Sequence, residues 1–576
     1  MKWLGVGIGG LLGGLLQSSA AGNLPDHLAG VWALAEQRSE QTALWLIANY
    51  GEPSTNPSYP TVGDLATGRW AVVTYTRDWR GGFWPGTLWL LAQRTGSETW
   101  KQRATDWSAP LAESTNIDHD IGFITLNSLG KGWLYHDELT DPAGSYRDFA
   151  KAAITTAAGK LDSRFNKPNT GGPPIPAGFT RSWNSPFEDP YPVCIDNLMN
   201  LDVMFVGYEL NGRQPAQRFW FDHALTHARN SIARHLRPDG STYHVVKHFE
   251  SGPHIGEIER KTTVQGYAHE STWSRGQAWA IYGFTAAYRH ARLDPATDVS
   301  DLLAAAEATA RYFLDHLPDA FTSDTFNHRP GDFVPPIDFD VALGEPAGPW
   351  NDANNDYDPT SHTGLGDRKP ALLSFAGRDS SAAAIAASGL IELSGYASLP
   401  EDRARFLAAA EDILECLIAY DGPDVGSNPD YLCAATDTAN PGILKAGTVR
   451  WGEASRSLIY GDFYFLEALT RYEAILARRL LLETQQCHRT GEVVDITFEI
   501  AASAPALAFR IECSPDLAEG SWATVAARIG AGPWSGSASV AEEVLLNGHR
   551  RVKVSTPATG SSGFFRILTR SVGGGG

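Results

Sequence analysis

A chain of 576 residues, 43% hydrophobic and 20% charged, is globular and longer than one core usually supports, so its composition predicts a large domain with a smaller companion. The formal net charge of −19 argues against nucleic acid or an anionic membrane as partner, because the long-range field repels both. Five cysteines without a C-x-x-C pair make neither a disulfide scaffold nor a zinc or haem site, although Cys416 with Cys433, or Cys487 with Cys513, could bridge and leave Cys194 as a buried thiol.

The N-terminus, MKWLGVGIGGLLGGLLQSSAAG, carries one Lys, an apolar run from Leu4 to Leu16 and small residues up to Ala21. This predicts a signal peptide over residues 1–21, hence export; the run is too short to span a membrane. Helical spacing of apolar residues then recurs in twelve segments. They begin near Asp26, Pro85, Ser97, Asp120, Gly144, Ile195, Pro215, Ser274, Val299, Ser380, Pro400 and Ala454. Strand-like alternation is scarce over residues 22–480, which read as all-α. The links after the even-numbered helices are short, whereas those before them are mostly long and rich in Pro, Gly, Trp and His. Short links join antiparallel neighbours, and long ones in compact domains are usually functional. Antiparallel helices closed in a ring make an (α/α)6 barrel, with the less charged even helices inside and their N-termini gathered at one mouth. From residue 487 to 572 short alternating runs such as VVDITFEIA and RRVKVST predict a small all-β domain, sandwich-like and accessory in role.

The mouth is where chemistry is expected. In "WSRGQAWAIYGF", Ser274 and Gln277 fit a capping box, while Arg275 stands at a helix start against the preference of the dipole, which points to a ligand anion. Asp120, beside His119, and Asp196, beside Asn197, begin two other even helices. Each could be a plain N-cap, but two carboxylates at one mouth can divide acid–base labour if their surroundings differ. Asp118 is a competitor, and Asp202 reads as structural. Trp84, Trp183, Trp273 and Trp279 are candidates for stacking on sugar faces among 18 tryptophans that mostly pack cores. His244, His248, His254 and His269 crowd one long loop without zinc-site spacing. The run "NDANNDYD" lacks the Gly and Glu of a calcium loop.

The blocks "GFWPGTLWL", "DHDIGF", "IDNLMNL", "YAHESTWSRGQAWAIYGF", "VPPIDFD", "RDSSAAAIAASGLIEL" and "LIYGDFYFLEAL" resemble, in order and spacing, the unsaturated glucuronyl hydrolases of glycoside hydrolase family 88. The resemblance implies an (α/α)6 barrel that removes a 4,5-unsaturated uronic acid from the non-reducing end of lyase-generated oligosaccharides by hydrating an enol ether, without metal or organic cofactor. It implies Asp196 as general acid and base and Asp120 as the second essential carboxylate. Trp84, His119, Trp183, His244, Gln265, Trp273, Arg275 and Trp279 would line the terminal subsite. Two features depart from the family pattern: an expanded connection from Pro318 to Asp379 and the β-domain. The alternatives are an unsaturated rhamnogalacturonyl hydrolase, an ordinary inverting glycosidase or lyase on the same fold, and a non-catalytic glycan-binding protein.

Overall fold

The computed structural model describes residues 24–571 apart from 137–140, 167–177, 184–190, 321–330, 341–376, 420–430, 501–506, 515–522, 546–549, 558–563 and shorter stretches. Residues 1–23, where the signal peptide is expected, and the "NDANNDYD" run lie outside the described residues. Helices α1 (Leu24–Tyr50), α2 (Phe83–Thr95), α3 (Glu98–Ser108), α4 (Ile121–Thr125), α5 (Lys131–Tyr135), α6 (Ser145–Asp162), α7 (Asn197–Asn200) and α8 (Asp202–Leu210) are followed by α9 (Arg218–His235), α10 (Ser274–Ala291), α11 (Ser300–Asp315), α12 (Ser380–Ser394), α13 (Pro400–Ala419) and α14 (Ile459–Thr484). A π-helical turn, Leu126–Gly130, joins α4 to α5.

Six helical segments pack in succession: α2, α4–α5, α7–α8, α10, α12 and α14, with α14 returning to α2. They form a closed inner ring, and α1, α3, α6, α9, α11 and α13 lie outside it. Close packing in the ring depends on glycine where backbones meet. A Cβ on Gly122 would stand 2.7 Å from Asn200 Cα and 2.8 Å from Asn200 O, and one on Gly86 only 2.4 Å from Asn127 O. Since backbone cannot move aside as a side-chain tip can, Gly122→Ala is expected to cost about 1–3 kcal/mol in a denaturant titration.

The loops before the inner helices contain more strand than the alternation suggests. β1 (Tyr59–Asp64) pairs with β2 (Arg69–Val73), and β3 (Phe165–Asn166) with β4 (Phe179–Thr180). β5 (Tyr191–Cys194), β6 (Val245–His248) and β7 (Ile258–Thr262) make an antiparallel sheet of order β5-β6-β7. All four residues of β5 and of β6 are buried, so neither strand shows the period of two that marks a half-exposed one. Beyond α14, strands β8 (Gln486–Thr490), β9 (Val493–Ile500), β10 (Leu507–Ser514), β11 (Ala523–Ile529), β12 (Ser539–Val544), β13 (Arg550–Pro557) and β14 (Phe564–Ser571) form two sheets, β12-β13-β9-β8 and β11-β10-β14. Phe498, Val552 and Val554 from one sheet and Ile511 and Val525 from the other share a core with Ala474 and Ala477 of α14.

Cys416 and Cys433 are separate buried thiols, which corrects the suggested bridge. Cys416 Sγ accepts from Phe333 N–H and Cys433 lies by Ser457, so each sits in its own packing niche. The side chains of Cys487 and Cys513 are outside the described residues.

Three histidines, His227 and His235 of α9 and His248 at the end of β6, are buried close to one another. His227 Nδ1 accepts from Thr180 N–H at 2.9 Å, and the His248 ring lies on Phe179 at 4.3 Å. Burial depresses all three from the ordinary 6.5, to about 3, about 4 and about 3 respectively. Below pH 6.5 the unfolded chain takes up protons that the folded one refuses. The stability these residues hold above that pH is therefore lost as pH falls toward 3–4. Denaturant titrations from pH 7 to pH 4 are expected to show a decline that His248→Phe reduces.

Candidate active site

A cavity of about 820 Å³ opens at the end of the ring where the inner helices begin. Trp79 comes from the turn before α2, Asp120 and Asp196 from the starts of α4 and α7, Trp273, Arg275 and Trp279 from α10 and its approach, and Tyr460 from the first turn of α14. His119, Trp183, Cys194 and Gln265 complete much of the wall.

Asp120 and Asp196 occupy the N-cap positions of α4 and α7, yet neither carboxylate accepts a bond from its helix. The capping explanation for these two residues therefore fails, and their oxygens are available for other work. His119 Nε2 lies 3.0 Å from Asp120 Oδ1. Burial opposes a charge on His119, but Asp120 and Asp196 outweigh it and raise its pKa. Asp196 is partly open to the cavity, with Oδ1 enclosed and without a hydrogen-bond partner. Burial first, and then repulsion by Asp120, raise its pKa against the pull of His119 and a hydrogen bond from the Cys194 thiol. The site thus holds a carboxyl disposed to keep its proton and, next to it, a second carboxyl paired with a histidine.

His244 joins this group from behind: Cys194, Asp196 and His244 each bring a polar atom within 4.8 Å of the others. Its ring packs on Trp273 at 4.3 Å, its Nδ1 meets Thr263 Oγ1 at 2.9 Å, and burial with the nearby Arg275 charge keeps it neutral. Gln265 Oε1 and Trp273 Nε1 are enclosed polar atoms without partners, which a ligand rich in hydroxyls would satisfy. Trp183 stands beside His119, with ring centroids 6.4 Å apart.

Four expectations need correction. Trp84 is not on the cavity wall; it packs edge-to-face on Trp107 in the core, and Trp79, five residues earlier, faces the cavity instead. Arg275 lines the cavity, but its position at a helix start is explained by protein groups. Nη1 meets Asp379 Oδ2 at 2.5 Å and Thr448 O at 2.5 Å, and Nη2 donates to Val449 O at 2.6 Å. The Ser274–Gln277 capping box does not form, because Ser274 donates to Ile337 O and Gln277 spans Thr242 Oγ1, Gly240 O and Thr309 O. Of the loop histidines only His244 comes near the site, and it stands behind the cavity wall, next to Cys194 and Asp196, rather than on it. His248 is in the cluster described above, His254 pairs with Glu257 on the surface, and His269 accepts from Thr263 N–H. Asp202 is structural as read, bound to Arg289 and His290. Sequence reasoning missed Cys194, Tyr460, Arg80 and Arg456 on the wall; nothing in their local spacing marks them.

An indole-walled cleft at one end of a helical ring, with two carboxylates in unlike surroundings, is the arrangement of a glycosidase. No family model matches the chain. It is 32% identical over 411 residues, 70% of its length and 82% of the relative's, to the unsaturated glucuronyl hydrolase of Formosa agariphila. A solved unsaturated glucuronyl hydrolase specific for heparin is similar over 78% of this chain and 98% of its own, with TM-score 0.57 and 27% identity. Another, with dGlcA-Glc-Rha-Glc, is similar over 77% of this chain and 96% of its own, with TM-score 0.54 and 25% identity. The chain belongs to the unsaturated glucuronyl hydrolases, glycoside hydrolase family 88, and is a hydrolase of glycosidic type.

Proposed function

We propose that the protein removes a 4,5-unsaturated glucuronyl residue from the non-reducing end of lyase-generated oligosaccharides by hydrating its double bond. The observation that carries this reading is the pair of carboxyls at the open cavity, Asp196 and Asp120, neither of which caps its helix and the second of which is held by His119; burial, which raises the pKa of Asp196, agrees with it. The substrate is an enol ether, in which C4=C5 is conjugated with the ring oxygen. Asp196 gives its proton to C4, and positive charge spreads over C5 and the ring oxygen, facing the Asp120 carboxylate. Water adds to C5 as Asp196 takes back a proton, so the carboxyl is restored and the sum is addition of one water. The product is a hemiketal; its C5–O5 bond breaks to a ketone, and the hemiacetal left at C1 releases the rest of the chain. The displacement at the anomeric carbon that defines retaining and inverting enzymes plays no part. One carboxyl serves as donor and acceptor, so the cycle calls for no metal or organic cofactor.

Gln265 and Trp273 are positioned to meet sugar hydroxyls, and Trp79, Trp183 and Trp279 supply the aromatic walls. We also propose, from the leader alone, that the enzyme is exported and meets its substrate outside the cytoplasm.

The test is loss of the ultraviolet absorbance of the double bond when the enzyme meets a panel of lyase-generated disaccharides, sulfated and unsulfated. A decline with at least one is expected, and the ranking of rates identifies the parent polymer. A folded sample that leaves the whole panel unchanged would overturn the reading.

A further inference from the structure

We propose that Cys194, Asp196 and His244 form a binding site for a borderline-soft divalent cation such as Zn²⁺, and that its occupancy switches the enzyme off. Metal binding stands on the geometry of the three residues; only the inhibitory consequence rests on the role given to Asp196 above.

Thiolate, imidazole and carboxylate are the donors zinc prefers, and three protein donors with one open position make a familiar coordination set. The three ligand atoms already lie within 4.8 Å of one another. Tetrahedral Zn²⁺ would set them roughly 3.3–3.6 Å apart given its usual bond lengths, so the set must close by only about an ångström. Their backbones are fixed together. Cys194 ends β5 opposite Val245 of β6, Ile195 N–H donates to His244 O at 2.9 Å, and Asp196 follows at the start of α7. The His244 ring is held by Trp273 and by the bonds of its Nδ1 to Thr263 Oγ1 and Val264 N–H; a metal on Nε2 shifts the ring proton to Nδ1, which then donates to Thr263 Oγ1 and gives up the Val264 bond. Asp196 Oδ1 is enclosed and without a partner, an acceptor that a cation would satisfy. Cys194 and Asp196 line the cavity, from which water or a substrate oxygen would supply a fourth ligand. A metal there would occupy the lone pairs with which Asp196 holds its proton, and hydration could not begin.

The experiment uses the full chain, stripped with a chelator and titrated with Co²⁺ and then Zn²⁺. Binding at this site gives the near-ultraviolet charge-transfer band of a cobalt thiolate, which Zn²⁺ displaces, and Cys194→Ser abolishes the band. Cys194→Ser and His244→Ala each weaken Zn²⁺ binding at least about tenfold. In the parent enzyme, turnover of an unsaturated disaccharide falls in step with Zn²⁺ occupancy and returns on chelation. Absence of the band, or Zn²⁺ affinity unchanged in both variants, would overturn the site; bound Zn²⁺ with unchanged turnover would overturn the inhibitory role. The cobalt band does not depend on catalysis, so a chain inactive on every unsaturated substrate would still display it, which separates failure of this inference from failure of the functional reading.

Discussion

Asp196→Asn is expected to lower kcat on an unsaturated disaccharide by about 10³- to 10⁴-fold, the upper part of the range that a positioned acid–base group contributes. Asparagine keeps the size of the side chain and its place at the start of α7, where the carboxylate makes no capping bond whose loss could unfold the helix. It has no carboxyl proton to give to C4 and cannot take one from water. Dissociation constants measured by calorimetry should stay within a few-fold, because Gln265, Trp273 and the cavity walls are untouched. Absorbance decay at saturating substrate reads the first quantity. A variant turning over at the parental rate would remove Asp196 as the acid and leave Asp120, with its His119 partner, as the residue to test.

The second large effect is on stability. Asp379→Ala is expected to destabilise the protein by about 3–5 kcal/mol, the usual result of leaving one member of a buried ion pair without the other. Arg275 and Asp379 are 3% and 0% exposed, so removal of the carboxylate leaves the guanidinium without its buried counter-charge. Asp379 also caps α12 by accepting from Ser381 N–H at 3.1 Å and Ala382 N–H at 3.4 Å, so the helix start weakens too. Arg229→Ala is the control. Its pair with Asp301 is 33% and 41% exposed on the two sides, and a loss of at most about 1 kcal/mol is expected. Denaturant midpoints measure both. If the two variants lost the same small amount, Arg275 would not depend on Asp379, and its place on the cavity wall would again call for a ligand anion.

The ring was legible because its signal is repetitive. Helical spacing recurs twelve times, and the contrast between short and long links sorts the helices into inner and outer sets without any knowledge of contacts. The two carboxylates were legible for the same reason, since residues at equivalent helix starts share a mouth. What local patterns could not show were choices settled by distant partners. The counter-charge of Arg275 is 104 residues away, and Gln277 gives up a local cap for bonds to Thr242 and Thr309. Trp79 and Trp84 flank the same glycines, and only the turn ahead of α2 decides that Trp79 faces the cavity while Trp84 enters the core. Strands β5 and β6 escaped notice because full burial erases alternation.

The central claim is hydration of C5 rather than displacement at C1, and isotope incorporation tests it most directly. Turnover in H₂¹⁸O and in D₂O, followed by mass spectrometry and NMR of the products before they exchange with solvent, should place one ¹⁸O at C5 of the released uronate and one deuterium at C4. Label confined to the anomeric carbon, with C4 free of deuterium, would contradict the account and mark an ordinary glycosidase.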